Sequence, residues 1–263
     1  SEFIPTDIKA AYINQLLNVG FDTIDFGSFV SPKAMPQLRD TANVLSQLDL
    51  ENTNSKLLSI IANTRGAVDA CSFEEINYLG FPLSVSEQFQ KRNTNKSIAQ
   101  AISDVEKIQN LAHKKNKELV VYLSMAFGNP YGENYDPDIV AELTEKLYDL
   151  EIGIVALSDT IGVSDPTNIA PLFDTLIKEY STIEFGAHFH TTAEAWEEKV
   201  AAAYLNGCIR FDASMKGFGG CPMAKDELVG NMPTEKLITY FNEDLGLNQL
   251  EMEKSLKLTS TIF

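Results

Sequence analysis

The sequence predicts a single α/β domain folded as a (β/α)8 barrel, with the first strand of that barrel expected upstream of Ser1. Three observations lead there. Short apolar, β-rich runs alternate with amphipathic helical stretches from one end of the chain to the other, the pattern of successive parallel βα units. No linker, low-complexity stretch or block of charge divides the 263 residues, 44% of which are hydrophobic, so one large core is within reach. Seven strands are visible, and no glycine-rich phosphate loop follows an early one, as an open doubly wound sheet would ordinarily show.

In order, the expected strands are 21–29, 56–61, 75–81, 119–126, 153–158, 183–190 and 208–213. The expected helices are 6–17, 35–45, 86–116, 137–150, 166–180, 193–206 and 234–242. Asp136-Pro137 and Asp165-Pro166 each place an N-cap carboxylate before a proline at the first helical position. The chain as given opens on a helix, and a closed barrel needs eight strands, which is why the missing strand is expected ahead of Ser1.

Composition narrows the partners. The net charge of −16 repels phosphate at long range, excluding nucleic acid or an anionic membrane surface as a general partner. An anionic substrate therefore calls for a local cation. Most of the acidity reads as solubility. Cys71, Cys208 and Cys221 are odd in number and lack zinc-knuckle or redox-pair spacing, which fits a reducing, cytoplasmic compartment. No apolar run is long enough for a membrane span, and no signal peptide is visible.

His188 and His190 stand two apart in Gly-Ala-His188-Phe-His190-Thr-Thr, on an expected strand. Positions i and i+2 of a strand project to one side, so both imidazoles can reach one ion. Two hydrogen-bonded or solvated histidines are the alternative. The segment runs into Thr191-Thr192 and a helix start, which places the pair at the C-terminal end of its strand, where α/β folds carry their chemistry. Other strand ends are polar as well: Asp25-Phe-Gly-Ser28, Ser158-Asp159-Thr160 and the loop Gly219-Gly220-Cys221-Pro222, with Gly230-Asn231 ten residues on. The glycines admit unusual backbone angles, and a thiol carried there is a candidate acid or nucleophile. Cys71 and Cys208 read instead as small apolar core residues. His113 reads as a solvated helix-end residue, Trp196 as packing, and Ser124 and Asn129 as either ligand contacts or turn formers.

Taken in order, Phe29-Val-Ser-Pro-Lys33-Ala-Met-Pro36-Gln37, Ser84-Val-Ser86-Glu87, Leu157-Ser-Asp159-Thr160-Ile-Gly-Val, His188-Phe-His190, Gly219-Gly-Cys221-Pro and Gly230-Asn231 resemble the signature segments of the 3-hydroxy-3-methylglutaryl-CoA lyases. These belong to the metal-dependent lyases and aldolases built on a TIM barrel. The similarity runs from about Ile4 to Phe241.

The resemblance implies that His188, His190 and the side-chain oxygen of Asn231 bind Mg²⁺ or Mn²⁺. It implies catalytic roles for Cys221, Asp25 and Asp159, and places Ser28, Thr160 and Gly220 against substrate. Asp25 stands where the family commonly has glutamate, and Ala156 where some members have serine. The family also carries an Arg-Asp pair at the end of its first strand, for which no residue before Ile4 qualifies. The implied reaction is retro-Claisen cleavage of an acyl-CoA to acetyl-CoA and acetoacetate, by a homodimer. Two alternatives stay open: an aldolase or Claisen-type synthase acting on a 2-oxo acid, against which the thiol loop speaks, and a non-catalytic barrel lacking the Arg-Asp pair.

Overall fold

The computed structural model describes residues 3–220, 229–241 and 245–263, and the expected alternation of strand and helix runs through them. The first half holds α1 (Thr6–Leu17), β1 (Thr23–Ser28), α2 (Thr41–Leu45), β2 (Lys56–Ile60), α3 (Thr64–Ala70), β3 (Ile76–Ser84), α4 (Glu87–Thr94) and α5 (Ile98–Lys114). The second holds β4 (Glu118–Ser124), α6 (Pro137–Asp149), β5 (Ile154–Asp159), α7 (Pro166–Glu179), β6 (Glu184–Thr191), α8 (Trp196–Tyr204), β7 (Arg210–Phe211), β8 (Gly230–Asn231), α9 (Thr234–Phe241) and α10 (Gln249–Ile262).

All seven expected strands form, although the last shortens from 208–213 to the two residues of β7. The helix expected over 86–116 is two helices. Asn95 adopts a left-handed conformation (φ 57°), which terminates α4 before α5 begins. The stretch 35–45 likewise divides into a 3-10 turn at Pro36–Leu38 and α2. Asp136 and Asp165 cap as their spacing requires: each carboxylate accepts an N–H from the first turn, and Asn168 completes a reciprocal capping box with Asp165. The sequence reading missed α3, β8 and α10, which are too short or too weakly patterned to stand out. Residue 242, the expected end of α9, lies outside the described residues.

The chain separates into two compact units. In the first (Ser1–Gly80, Asn110–Glu118 and Asn242–Phe263), β1 pairs with β2 and β2 with β3, all parallel, with a register shift in β1 between Asp25 and Gly27. Its buried apolar side chains include Ile13, Leu16 and Leu17 of α1 and Leu57 and Leu58 of β2.

In the second unit (Phe81–Gln109 and Leu119–Phe241), β4, β5, β6 and β7 pair in that order, all parallel, and β8 adds antiparallel to β6. All six residues of β5 are buried, as expected of a strand covered on both faces. On β6, Phe185, Ala187 and Phe189 bury one face, where Phe189 packs edge-on against Phe127 and against Phe173 of α7, with ring centroids 5.7 and 6.3 Å apart. Alternation along the strand then turns His188 and His190 to the other face. Phe189→Ala should cost about 3–5 kcal/mol in a urea titration through loss of this packing; a loss below about 1 kcal/mol would mean that β6 is anchored elsewhere.

Candidate active site

The C-terminal end of β6 supplies two imidazoles whose ring centroids lie 5.8 Å apart. Each is oriented through its Nδ1. His188 donates from Nδ1 to Oδ2 of Asp212 at 3.1 Å, and His190 donates from Nδ1 to the Val229 carbonyl, also at 3.1 Å. In the neutral imidazole an Nδ1 donor leaves Nε2 as a lone pair, the state an imidazole needs to bind a cation. Tyr122 stands edge-on to His188 with centroids 5.4 Å apart, fixing the ring from a third side.

Asn231 joins the pair through β8, whose antiparallel register sets Asn231 opposite His190. Its amide nitrogen donates to the Phe218 carbonyl at 2.8 Å, and among the described residues Oδ1 is the uncommitted end. Gly219 makes this contact feasible. It adopts φ +98°, and a Cβ there would come within 2.7 Å of the Asn231 amide nitrogen. Among the described residues no three His, Cys, Asp or Glu side chains converge as an ion site. The set here is two imidazole nitrogens and one amide oxygen, a mixed N and O donor group that fits a hard or borderline divalent ion.

Asp159, for which the resemblance implied catalysis, is enclosed by donors. Its Oδ1 accepts Val163 N–H at 2.9 Å, and its Oδ2 accepts the Ser164 N–H at 3.0 Å, the Ser164 hydroxyl at 2.5 Å and the Lys199 ammonium at 2.7 Å. Carboxylate and ammonium are only 1% and 2% exposed, so this is a fully buried ion pair. Lys199 also donates to the His190 carbonyl at 3.0 Å.

The hydroxyls expected to meet substrate are committed to backbone. Thr160 Oγ1 accepts Met125 N–H at 2.8 Å, holding Met125 in a left-handed conformation (φ 60°). Ser28 Oγ donates to the Ile60 carbonyl at 3.1 Å and accepts Val30 N–H at 3.2 Å. Ser28 and Asp25 belong to the first unit, where Asp25 is exposed on β1. Gly220 is half-buried with φ 157°. Cys221 lies outside the described residues.

Asn129 takes the turn role, with its Oδ1 accepting the N–H groups of Tyr131 and Glu133. Trp196 packs edge-on to Tyr240 under Lys236, and His113 is exposed in the last turn of α5. Sequence reasoning missed Asp212 and Lys199. The first carried no local signal, since its partner is 24 residues away; the second did, as a lysine sharing the apolar i, i+3, i+4 stripe with Ala202 and Ala203.

A family model described as HMGL-like matches residues 1–262. Hydroxymethylglutaryl-CoA lyase YngG of Bacillus subtilis is 31% identical over 99% of this chain and 86% of its own length. The cytoplasmic 3-hydroxy-3-methylglutaryl-CoA lyase of Rattus norvegicus is 32% identical over 93% of this chain and 70% of its own. Among solved structures, the HMG-CoA lyase of Bacillus subtilis superposes with a TM-score of 0.92 at 29% identity, covering 99% of this chain and 87% of that one. An HMG-CoA lyase from Acinetobacter baumannii, in complex with coenzyme A and 3-methylmalate, gives 0.90 at 30% identity, covering 99% and 85%. Fold and strand-end side chains thus define an α/β protein of the TIM-barrel type. This chain belongs to the HMGL-like family.

Burial, and next to it the neighbouring imidazole of His188, lowers the pKa of His190 below its ordinary 6.5. The unfolded chain therefore takes up this proton at a higher pH than the folded protein does. His190 contributes stability that is present above pH 6.5 and lost as the pH falls from there through the folded value. Urea titrations at pH 7.5 and 5.5 should show a larger loss for the parent than for His190→Gln; equal losses would contradict the assignment.

Proposed function

We propose that this protein cleaves 3-hydroxy-3-methylglutaryl-CoA to acetyl-CoA and acetoacetate with the help of one divalent cation. Membership of the HMGL-like family supports the reaction. The observation that supports the site is that β8 sets Asn231 opposite His190, two residues from His188 on β6, and that one polar atom of each of the three side chains is already bonded.

In this reading the Nε2 atoms of His188 and His190 and the Oδ1 of Asn231 hold Mg²⁺ or Mn²⁺. Bound there, the cation supplies positive charge that gathers substrate oxygens and eases loss of the tertiary hydroxyl proton. The Asp212 carboxylate keeps the His188 lone pair on Nε2, and the Val229 carbonyl does the same for His190. Asp25 takes the hydroxyl proton. As the carbon–carbon bond breaks, the oxygen becomes the ketone of acetoacetate and the electron pair passes to the methylene carbon of acetyl-CoA as its enolate. Cys221 returns a proton to that carbon. Asp159 acts by holding the turn after β5, and Ser28 and Thr160 serve substrate binding by fixing strand-end backbone. Gly220 gives the loop close approach to substrate.

The reading extends to a single domain preceded by a strand ending in Arg-Asp, as the family pattern requires. One family model spanning residues 1–262 supports the single domain. It extends also to a homodimer in the cytoplasm. The buried unpaired thiols of Cys71 and Cys208 and the cytoplasmic rat relative are in keeping with that compartment. No helix among the described residues is long and apolar enough to cross a membrane.

The test is turnover by protein expressed from its full reading frame, assayed with 3-hydroxy-3-methylglutaryl-CoA and with pyruvate-forming substrates. His190→Ala should abolish cation-dependent cleavage with circular dichroism unchanged, and parental rates would remove His190 from the ligand set. Cys221→Ser should slow kcat by about 10²- to 10⁴-fold while sparing Mn²⁺ uptake; an unaltered kcat would take the thiol out of the reaction. Activity confined to pyruvate-forming substrates would refute the lyase assignment itself.

A further inference from the structure

Lys199, 2% exposed, is a buried charge that the proposed reaction leaves unused. It sits on α8 among Val200, Ala202 and Ala203, all buried, where a methionine or leucine would ordinarily serve. A buried ion pair is a weak source of stability, because taking two charges out of water offsets most of their attraction. Its geometry shows what it joins. The ammonium reaches the Asp159 carboxylate at the end of β5 and the His190 carbonyl at the end of β6, at 2.7 and 3.0 Å.

The second tether on His190 leads back to the same cluster. Asp159 pins the turn that follows it through Val163 and Ser164, and within that turn Gly162 adopts φ +71° directly against Val229. A Cβ on Gly162 would lie 2.8 Å from Cγ1 of Val229, so the contact is as close as glycine permits. Val229 is the residue whose carbonyl receives the His190 Nδ1 proton. Main chain and ring of His190 are thus both located by one assembly made from Lys199, Asp159 and the turn at Gly162.

We propose that Lys199, through its pair with Asp159, is a positioning residue that fixes the backbone and ring orientation of His190. The inference rests on the cation-binding reading of His190 given above, but its first readout needs no cation. The chain has three histidines, so the ring nitrogens of His190 can be assigned by ¹⁵N NMR using His113 and His188 substitutions. In the parent, metal-free protein, His190 should appear as one fixed Nδ1–H tautomer; rapid averaging between tautomers would overturn the proposal without any variant being made.

Lys199→Met alone leaves a buried unpaired carboxylate and risks unfolding, so the informative variant is Asp159→Asn with Lys199→Met. That double variant should stay folded by circular dichroism, lose the fixed His190 tautomer and bind Mn²⁺ about 10- to 100-fold more weakly. A folded double variant with parental His190 resonances and parental Mn²⁺ affinity would show that the pair has a structural role alone. His190→Ala separates the two claims: undiminished Mn²⁺ binding there would sink the cation reading, whereas the NMR result would still decide the positioning.

Discussion

Phe185, Ala187 and Phe189 bury one face of β6, and because neighbours along a strand alternate sides, that burial dictates where His188 and His190 point. Sliding the strand by one residue would carry both imidazoles into the packing of α7 and expose two phenylalanines. The aromatic contacts of Phe189 with Phe127 and Phe173 oppose such a slip. The hydrophobic core thereby sets the direction of the polar site, and the pairing of β8 with β6 adds Asn231 at a fixed height beside His190.

Hydrogen bonding then decides what the oriented groups offer. In each of the three side chains one polar atom is bonded to the protein, which in the neutral imidazoles leaves the Nε2 lone pair, and in the amide the oxygen, as the other polar atom. The partners differ in character. His188 leans on a carboxylate, Asp212, in a half-exposed position, whereas His190 is buried and leans on a main-chain carbonyl. The more buried residue is also the one whose main-chain carbonyl accepts from Lys199, the partner of Asp159. Desolvation lowers its proton affinity, which favours the neutral form a cation would need.

Much of this was legible in the sequence, for reasons of spacing. Strand periodicity marked seven of the eight strands among the described residues, and the i, i+2 spacing of the histidines survived as a shared face. Asp-Pro pairs located two helix starts. Features that depend on distant contacts were not legible. Asp212 meets His188 across a parallel strand pair, and β8 exists only because two residues find the edge of β6. For Asp159, Thr160 and Ser28 the resemblance implied roles at the site, but not the bonds their oxygens make to turn and strand-end N–H groups, which depend on the folded backbone. The break between α4 and α5 turned on a single left-handed asparagine, which helical periodicity passes over.

In the proposed site, two imidazoles two residues apart on one strand share one ion. Electron spin-echo spectroscopy of the protein loaded with Mn²⁺, prepared with ¹⁵N-labelled histidine, counts the nitrogens bonded directly to the metal. The account predicts two, falling to one in His188→Ala and one in His190→Ala. A spectrum showing no directly bound histidine nitrogen in the parent protein would contradict it.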